Sequence, residues 1–539
     1  MHSLLRASIG LALVFTSGAP ALAHNATVDA ESLERDVRVL ADDSMEGREA
    51  GTRGHAMAAG YVAGRFAALG LEPGGDNQTY FQNVPLRSYS LAEHGNAVVL
   101  SDAEGARPLT MWQDFYMSGS AMKESGSVEG ELVFIGYGLD LPGRDDFEGV
   151  DLRGKIAVRL SGGPSDLNSE ELAHYRSTQR ARLSERGAVG VVLLWTPSLE
   201  EAYGWESTIE ESRHDTSMTW VGTDGTAYSS APNILASAVL SPEMSRQLLE
   251  GQDFDFDDVI AAEASYDGVM PSFALGKTMA IQFASEFAET SSPNVIGMLP
   301  GSDPELADEY VVLTAHLDHL GIQPTEEEGD DEIFNGAMDN ATGIASMIEV
   351  ARLLADHPPR RPVLFVALTA EEKGLIGSSY NAANPTVPAD QVAVNINLDM
   401  PIVTYEFSDL VAFGAERNTA FPNVQAAVEE YGVALSPDPQ PEQGFFTRSD
   451  QYSYVENGVP AIYLDIGYGN GGEEKQDEFL SNHYHKASDE ADLVDFQVLA
   501  RFAAINYEVA RRVANMDERP LWKAGDFFGE TFGGLMAAE

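Results

Sequence analysis

The sequence contains no cysteine and few basic residues. Among its 539 residues there are seven lysines, and Lys and Arg together number 33 against 85 acidic residues. The missing thiols exclude disulfides, thiolate metal sites and cysteine nucleophiles. The formal net charge of −52 gives a surface that repels nucleic acid and anionic lipid at low salt. We therefore expect no nucleic-acid partner.

Long hydrophobic runs are missing after the first residues. The chain begins "MHSLLRASIGLALVFTSGAPALAHN", where Arg6 precedes an apolar stretch and Ala21-Leu22-Ala23 forms an A-x-A cleavage site. The apolar stretch is shorter than the roughly twenty residues that a membrane span needs. We predict a signal peptide at residues 1–23 and export, without a membrane span, to the bacterial periplasm or medium, where a cysteine-free chain is at no disadvantage.

The composition is that of a globular protein with two or three domains. Apolar residues make up 44% of the chain, enough to build extensive cores. Amphipathic helix patterns around Leu33 to Leu40 and Tyr61 to Leu69 precede short apolar runs with acidic turns, and alternating strand and helix patterns follow. After the signal peptide we therefore predict segments 24–125, 126–270, 271–515 and a C-terminal tail at 516–539, with 126–270 an inserted, mainly β domain.

The segment 271–515 has the pattern of an α/β domain. Near-continuous apolar strands that alternate with helices indicate a sheet covered on both faces. The predicted strands are Tyr310 to Thr314, Pro362 to Leu368, Val392 to Leu398 and Pro460 to Ile466, and a helix carries Ile344, Met347, Ile348, Ala351 and Leu354. A ligand site is expected at the carboxyl ends of these strands.

Polar residues suited to metal binding follow the predicted strands. They are His316, Asp318 and His319 after the first strand, Asp339 before the helix, Glu371 and Glu372 after the second strand, Asp399 after the third, and His483 and His485 in a late loop. Any one of them alone is more often a cap or turn residue than a ligand. Their recurrence at successive strand ends favours one shared site.

Imidazole and carboxylate groups in this combination suit zinc. A carboxylate shared between two ions would bring them about 3.5–4 Å apart, as in two-metal hydrolytic sites. Asp339 is the candidate bridge, because Gly336 and Gly343 allow the backbone to approach the metals closely. We therefore predict two zinc ions per chain.

Glu371 and Glu372 are adjacent, and neighbouring like charges repel each other. We therefore expect the two carboxylates to have different partners and different roles. Adjacent side chains in an extended turn diverge, so Glu372 can bind a metal while Glu371 acts as general base. Asp318 lies two residues from His316. We expect its carboxylate to accept the second imidazole N–H and so to fix the tautomer.

Six motifs carry a family resemblance. In chain order they are "TAHLDHLG", "NGAMDNATG", "TAEEKGLIGS", "NLDM", "RSDQYSYVENGVPA" and "YHKASDEAD". The set resembles the di-zinc aminopeptidases of clan MH, the group of bacterial leucyl aminopeptidase and glutamate carboxypeptidase II. Residues from Val128 to about Met270 resemble the protease-associated domain that is often inserted in them. The resemblance implies a zinc-peptidase domain with a mixed central sheet flanked by helices, plus this insert.

The resemblance also assigns roles to residues of this chain. It implies that His316 and Asp399 bind one zinc, that Glu372 and His485 bind the other, that Asp339 bridges them and that Glu371 is the base. The chain departs from the family at Gln451, where many members have His, and at Phe446, near the position of a tyrosine that stabilises the tetrahedral intermediate. Tyr452, Tyr454 and Arg448 are alternatives for that stabilising role.

The implied function is that of an exported aminopeptidase, which hydrolyses peptides with metal-activated water and Glu371 as general base. A carboxypeptidase or a glutaminyl cyclase-like enzyme is the alternative, and a carboxypeptidase should show an Arg cluster where this chain offers Arg448. A non-catalytic binding protein would lack ligands or the base. The acidic residues from Glu326 to Glu332 raise the negative potential near the bridging motif and disfavour substrates that present a carboxylate.

Overall fold

The fold is described from a computed structural model, which covers residues 27–538 except 142–143, 165–166, 168, 266 and 325–328. The predicted signal peptide lies outside the described residues, and so do Glu326, Glu327 and Glu328 of the acidic run. Within the described ranges, we find no helix that combines the length and the apolar character needed to cross a membrane.

Helices and strands are numbered in chain order. The helices are α1 (Ala30–Leu40), α2 (Arg53–Ala68), α3 (Ser169–Glu185), α4 (Pro197–Ala202), α5 (Trp205–Ser212), α6 (Pro242–Leu249), α7 (Phe256–Glu263), α8 (Thr342–Asp356), α9 (Ile376–Ala383), α10 (Phe421–Glu430), α11 (Gln451–Val455), α12 (Gly472–Asn482), α13 (Phe496–Ala514) and α14 (Phe527–Thr531). The strands are β1 (Glu72–Pro73), β2 (Phe81–Leu91), β3 (Ala97–Asp102), β4 (Gly105–Leu109), β5 (Phe115–Tyr116), β6 (Ser125–Phe134), β7 (Asp140–Leu141), β8 (Arg144–Asp145), β9 (Ile156–Arg159), β10 (Gly190–Leu194), β11 (Ser217–Trp220), β12 (Ala236–Leu240), β13 (Phe273–Leu299), β14 (Tyr310–His316), β15 (Gly321–Ile322), β16 (Ile333–Phe334), β17 (Val363–Leu368), β18 (Val392–Asn397), β19 (Asp409–Phe413), β20 (Ala434–Leu435) and β21 (Ala461–Ile466).

The main sheet is mixed and has the order β11-β2-β13-β17-β14-β18-β21-β19-β20, with β1 also paired to β13. Its central strands β17, β14, β18 and β21 run parallel to one another. They are buried almost throughout, because α1, α8 and α13 pack over one face and α11 lies on the other. The predicted α/β sheet is confirmed, and the four predicted strands end within two residues of the observed ends.

The helix α8 carries the predicted apolar stripe. Ile344, Met347, Ile348, Ala351 and Leu354 are all buried in the core beside the main sheet. Because α8 follows directly on the segment that contains Asp339, this packing fixes the start of the helix against the strand ends. The amphipathic patterns near the N-terminus likewise form α1 and α2.

A second sheet, with the order β4-β3-β13-β6-β9-β10-β12-β5, has a core of its own. The long strand β13 belongs to both sheets, since its first half pairs with β6 and its second half with β2 and β17. Strands β3 and β4 precede residue 126, so the second sheet extends beyond the predicted range 126–270.

Candidate metal centre

Asp339 lies between two imidazoles at the carboxyl ends of the parallel strands. Its Oδ1 is 3.1 Å from Nε2 of His316, and its Oδ2 is 3.3 Å from Nε2 of His485. The same nitrogen of His316 is 3.0 Å from Oδ1 of Asp399, and that of His485 is 3.2 Å from Oε2 of Glu372. The centre therefore has two sets of residues, each with an imidazole nitrogen between two carboxylate oxygens, and Asp339 belongs to both sets.

Two glycines allow the segment around Asp339 to lie this close to its neighbours. Gly336 has φ +54°, and a Cβ on it would stand 2.5 Å from the ring of His319. A Cβ on Gly343 would stand 2.1 Å from the side-chain oxygen of Asn340. Neither position has room for a side chain, so these glycines allow the segment to pack closely against His319 and Asn340.

Two buried residues that we did not predict hold this segment in place. The carboxylate of Asp489 accepts the backbone N–H groups of Met338 at 2.9 Å and of Asp339 at 3.1 Å. Arg48, completely buried, donates to the main-chain carbonyls of Leu40, Leu317, Asn335 and Gly336. Burial lowers the pKa of Arg48 to about 10, which leaves it charged at neutral pH.

Asp318 has a different partner from the one predicted. The Nδ1 of His316 lies 3.1 Å from the main-chain oxygen of Asp318, not from its carboxylate. The carboxylate instead accepts the backbone N–H groups of Glu371 at 3.1 Å and Glu372 at 3.4 Å. The predicted partner was wrong because Asp318 offers two acceptors, its carboxylate and its main-chain oxygen. The buried carboxylate binds the backbone N–H groups of the turn that carries the two glutamates, and the main-chain oxygen is left for His316.

The side chains of the two glutamates diverge as expected. The Oε1 of Glu372 lies 2.6 Å from Nδ1 of the completely buried His319, and its Oε2 faces His485. Glu371 lines the cavity beside His316. Burial raises the pKa of Glu371 well above its ordinary value, and the carboxylates of Asp399 and Glu372 contribute in the same direction. His483 does not join them and instead contacts Ser488 Oγ at 3.0 Å.

The carboxylates of the centre require positive charge. In the described part of the chain, no Lys or Arg forms an ion pair with Asp339, Glu371, Glu372 or Asp399. Burial would lower the pKa of His485, yet hydrogen bonds to Asp339 and Glu372 raise it to about 10. The carboxylates therefore favour a positive charge at this position, which a bound cation would supply. The oxygen and imidazole donors fit zinc, which prefers these ligands.

Of the three alternatives for the stabilising role, only Arg448 lines the cavity. The hydroxyl of Tyr452 lies 2.7 Å from Nδ1 of His174 in α3, and that of Tyr454 donates to Asn381 Oδ1 at 2.7 Å. Both tyrosines are therefore committed to contacts outside the cavity. Gln451 donates to the main-chain oxygen of Phe446 at 2.9 Å and accepts from Asn397 Nδ2 at 2.8 Å, and the side chain of Phe446 is buried in an apolar cluster.

The cavity next to the centre has a volume of about 100 Å³. Besides the predicted residues it is lined by residues that we did not single out, among them Met400, Ile402, Tyr463, Asp465, Gln476, Leu480 and Tyr484. A polar signal was available for Asp465, which is the one carboxylate in the otherwise apolar or aromatic run "AIYLDI". The others are apolar, aromatic or amide side chains that core packing also explains.

Imidazole and carboxylate groups that share one carboxylate at the strand ends suit a zinc-dependent hydrolase. Residues 294–510 match the model of peptidase family M28. Over 90% of this chain and 94% of the other, the fold is similar to that of an aminopeptidase from Aneurinibacillus sp. strain AM-1, with 19% identity and a TM-score of 0.50.

Curated relatives match over parts of the chain. Aminopeptidase YwaD of Bacillus subtilis (strain 168) is 31% identical over 150 residues, which are 27% of this chain and 30% of that protein. A glutamate carboxypeptidase 2 homolog of Caenorhabditis elegans is 24% identical over 69% of this chain and 51% of its own length. A probable zinc metalloprotease of Pyrenophora teres f. teres (strain 0-1) is 34% identical over 20% of this chain. The chain spans between 22% and 51% of the lengths of these relatives.

Proposed function

We propose that the protein is an exported aminopeptidase that holds two zinc ions per chain and removes N-terminal residues from peptides. The observation that carries this proposal is the carboxylate of Asp339, which has one oxygen near His316 and the other near His485. Glu371 lines the same cavity and is part of neither of these carboxylate–imidazole pairs, which is the position that a general base needs.

The roles of the residues follow from their positions. His316 and Asp399 would hold one zinc, His485 and Glu372 the other, and Asp339 both. When bound, zinc polarises the scissile carbonyl and lowers the pKa of the attacking water. Glu371, whose own pKa is raised by burial, accepts the proton of that water and passes it to the leaving amine. Asp318 positions Glu371 through its backbone N–H.

The charge of the cavity favours recognition of a free α-ammonium group. Carboxylates of Asp399, Glu371 and Glu372 line it, and Arg448 is the permanently cationic side chain among the described lining residues. Opposite charges attract more strongly in such a partly dry site than in water. We expect N-acetylation of a peptide to abolish its hydrolysis and C-terminal amidation to leave hydrolysis largely intact.

A carboxypeptidase is the second candidate, and Arg448 is the observation that favours it. Its guanidinium contacts Gln443 Oε1 at 3.2 Å and lies 5.6 Å from the centre of the Phe445 ring, with no carboxylate partner among the described residues. It could therefore receive a substrate carboxylate. Hydrolysis that tolerates acetylation and is blocked by amidation would establish this candidate and leave the metal assignment in place.

Export and the identity of the insert are parts of the same proposal. We infer cleavage of residues 1–23 after Ala23, which mass analysis of the mature N-terminus from periplasm and medium would check. The second sheet and its helices correspond to the protease-associated insert, a proposal supported by the sequence resemblance from Val128 to about Met270. Helix α3 of this insert contacts the main domain through His174 and Tyr452.

A further inference from the structure

The side chain of Asp465 enters the same cavity as the metal centre. Strand β21 runs parallel to β18, with Tyr463 opposite Asn397. Two residues further along each strand are Asp465 and Asp399, and adjacent strands lie about 4.8 Å apart. Both carboxylates therefore leave the same edge of the sheet, and both line the cavity.

The carboxylate of Asp465 has no cationic partner in the described chain. Its Oδ1 accepts the backbone N–H of Ile466 at 2.7 Å, and no Lys, Arg or His forms an ion pair with it in the residues that the structure describes. Burial raises its pKa to about 7, and the carboxylates of Asp399 and Asp438 add to the effect. A half-buried carboxylate without a cationic partner is costly, and such groups concentrate at functional sites.

The neighbouring side chains supply a second acceptor and apolar surface. The side-chain nitrogen of Gln476 donates to Tyr405 Oη and to the main-chain oxygen of Ile466, both at 2.8 Å. The side-chain oxygen of Gln476 therefore remains as an acceptor for a ligand. Met400, Ile402 and Leu480 line the same cavity with apolar atoms. An aliphatic chain that ends in a cation matches this combination, because its methylenes pack on apolar surface and its charge meets the acceptors.

We propose that Asp465 contacts the side chain of the substrate's N-terminal residue and makes the enzyme prefer lysine or arginine at that position. This inference rests on the proposed aminopeptidase function. It differs from recognition of the α-ammonium, which every N-terminal residue carries and which therefore cannot discriminate among them. Asp465 is a specificity residue in this proposal and takes no part in moving protons.

The experiment compares lysyl and norleucyl p-nitroanilides with the zinc-loaded, full-length enzyme. Norleucine has the straight aliphatic chain of lysine without the ammonium group, so the ratio of their kcat/KM values isolates the charge. The wild-type ratio should favour lysine on the order of 10–100-fold, the size of a hydrogen bond to a charged group. Asp465→Asn should bring the ratio close to one by lowering kcat/KM for the lysyl substrate alone.

The matched control is Asp438→Asn. This variant removes one negative charge from the neighbourhood of Asp465, but Asp438 does not line the cavity of the metal centre. It should keep most of the preference for lysine. An equal loss of preference in both variants would mean that long-range potential, not contact, sets the specificity, and would overturn the proposal.

The remaining outcomes separate this inference from the function on which it rests. A wild-type enzyme that hydrolyses the norleucyl substrate as well as or better than the lysyl one overturns the inference and leaves the aminopeptidase function standing. Asp465→Asn that lowers kcat/KM equally for both substrates assigns the carboxylate to the α-ammonium and also overturns it. No hydrolysis of any aminoacyl substrate by the zinc-loaded wild type would overturn the aminopeptidase function itself.

Discussion

The carboxylate of Asp489 accepts the backbone N–H of Asp339 at 3.1 Å. It thereby orients the shared residue of the centre without facing an imidazole itself. Asp489→Asn replaces one acceptor oxygen by an NH2 donor. That donor would face the N–H of Met338 from the Oδ1 position, or the N–H groups of both Met338 and Asp339 from the Oδ2 position. We expect zinc affinity to fall on the order of 10–100-fold, the usual effect of losing a residue behind the ligands.

Titration with zinc against a competing chelator measures this change. The control is Asp492→Asn, three residues away, whose side chain is 87% exposed and should not affect affinity. An Asp489→Asn variant with unchanged zinc affinity would contradict the positioning role.

The metal content of the purified protein is the second prediction. We expect about two zinc ions per chain, because the centre offers two imidazole–carboxylate sets that share Asp339. Elemental analysis after reconstitution measures the content directly. No bound zinc, or a single ion with full activity, would exclude the two-metal assignment.

The two neighbouring glutamates should respond differently to the same substitution. Glu371→Gln should keep both metals and lower kcat on the order of 10²–10⁴-fold, as expected for a lost general base. Glu372→Gln should deplete zinc, because Oε2 of Glu372 faces His485 beside Asp339. Metal analysis of both variants next to kcat checks the division, and equal zinc content would show that it is wrong.

His319 and His485 both contact Glu372, and we expect only His485 to bind metal. His485 reaches Asp339 Oδ2 at 3.3 Å, whereas the corresponding distance from His319 is 3.9 Å. His319→Asn should therefore lower zinc affinity modestly, by about 10-fold as for a residue that orients a ligand. His485→Asn should remove one of the two ions. The reverse order of zinc loss would make His319 the ligand.

The stability of the chelator-treated protein should fall in mild acid through His174. Burial lowers the pKa of His174 to about 4 from its ordinary value of 6.5. Below pH 6.5 the unfolded chain therefore binds a proton that the folded chain does not, and stability is lost as the pH falls from about 6.5 to 4. His174→Asn should flatten this part of the pH profile by about 1–3 kcal/mol.

Urea unfolding at pH 7 and pH 5, with EDTA present throughout, gives the change in the free energy of unfolding with pH for each variant. His94→Asn is the matched control, because His94 has a side chain that is 88% exposed. A His174→Asn variant with the same pH slope as the wild type would show that the acid sensitivity arises elsewhere.

The parts of the fold that followed from the sequence are those with a strong local pattern. The strands β14, β17, β18 and β21 are short apolar runs, and their ends were predicted within two residues. The helix α8 was predicted from the spacing of its apolar residues alone. The approach of the strand-end residues to one another then follows from the parallel arrangement, because parallel strands bring their carboxyl ends to one edge.

The residues that escaped prediction depend on contacts between distant parts of the chain. Arg48 donates hydrogen bonds to the main-chain oxygens of Leu317 and Gly336, more than two hundred positions away. No sequence pattern near Arg48 predicts those partners. For Asp318, the sequence spacing could not distinguish its carboxylate from its main-chain oxygen as the partner of His316. Asp465 lies in an apolar strand, and only the structure reveals that it lines the cavity beside the metal centre.

The strand β13, Phe273–Leu299, also affects the cooperativity of unfolding. Its first half pairs with β6 and its second half with β2 and β17, so one continuous backbone contributes ladder hydrogen bonds on both sides of the boundary between the sheets. Excision of residues 126–270 would cut the chain just before β13. It would also remove β11, which pairs with β2, and so expose an unpaired edge in the main sheet. The second sheet is therefore not a separable part of the structure, and the two sheets are expected to melt as one cooperative unit.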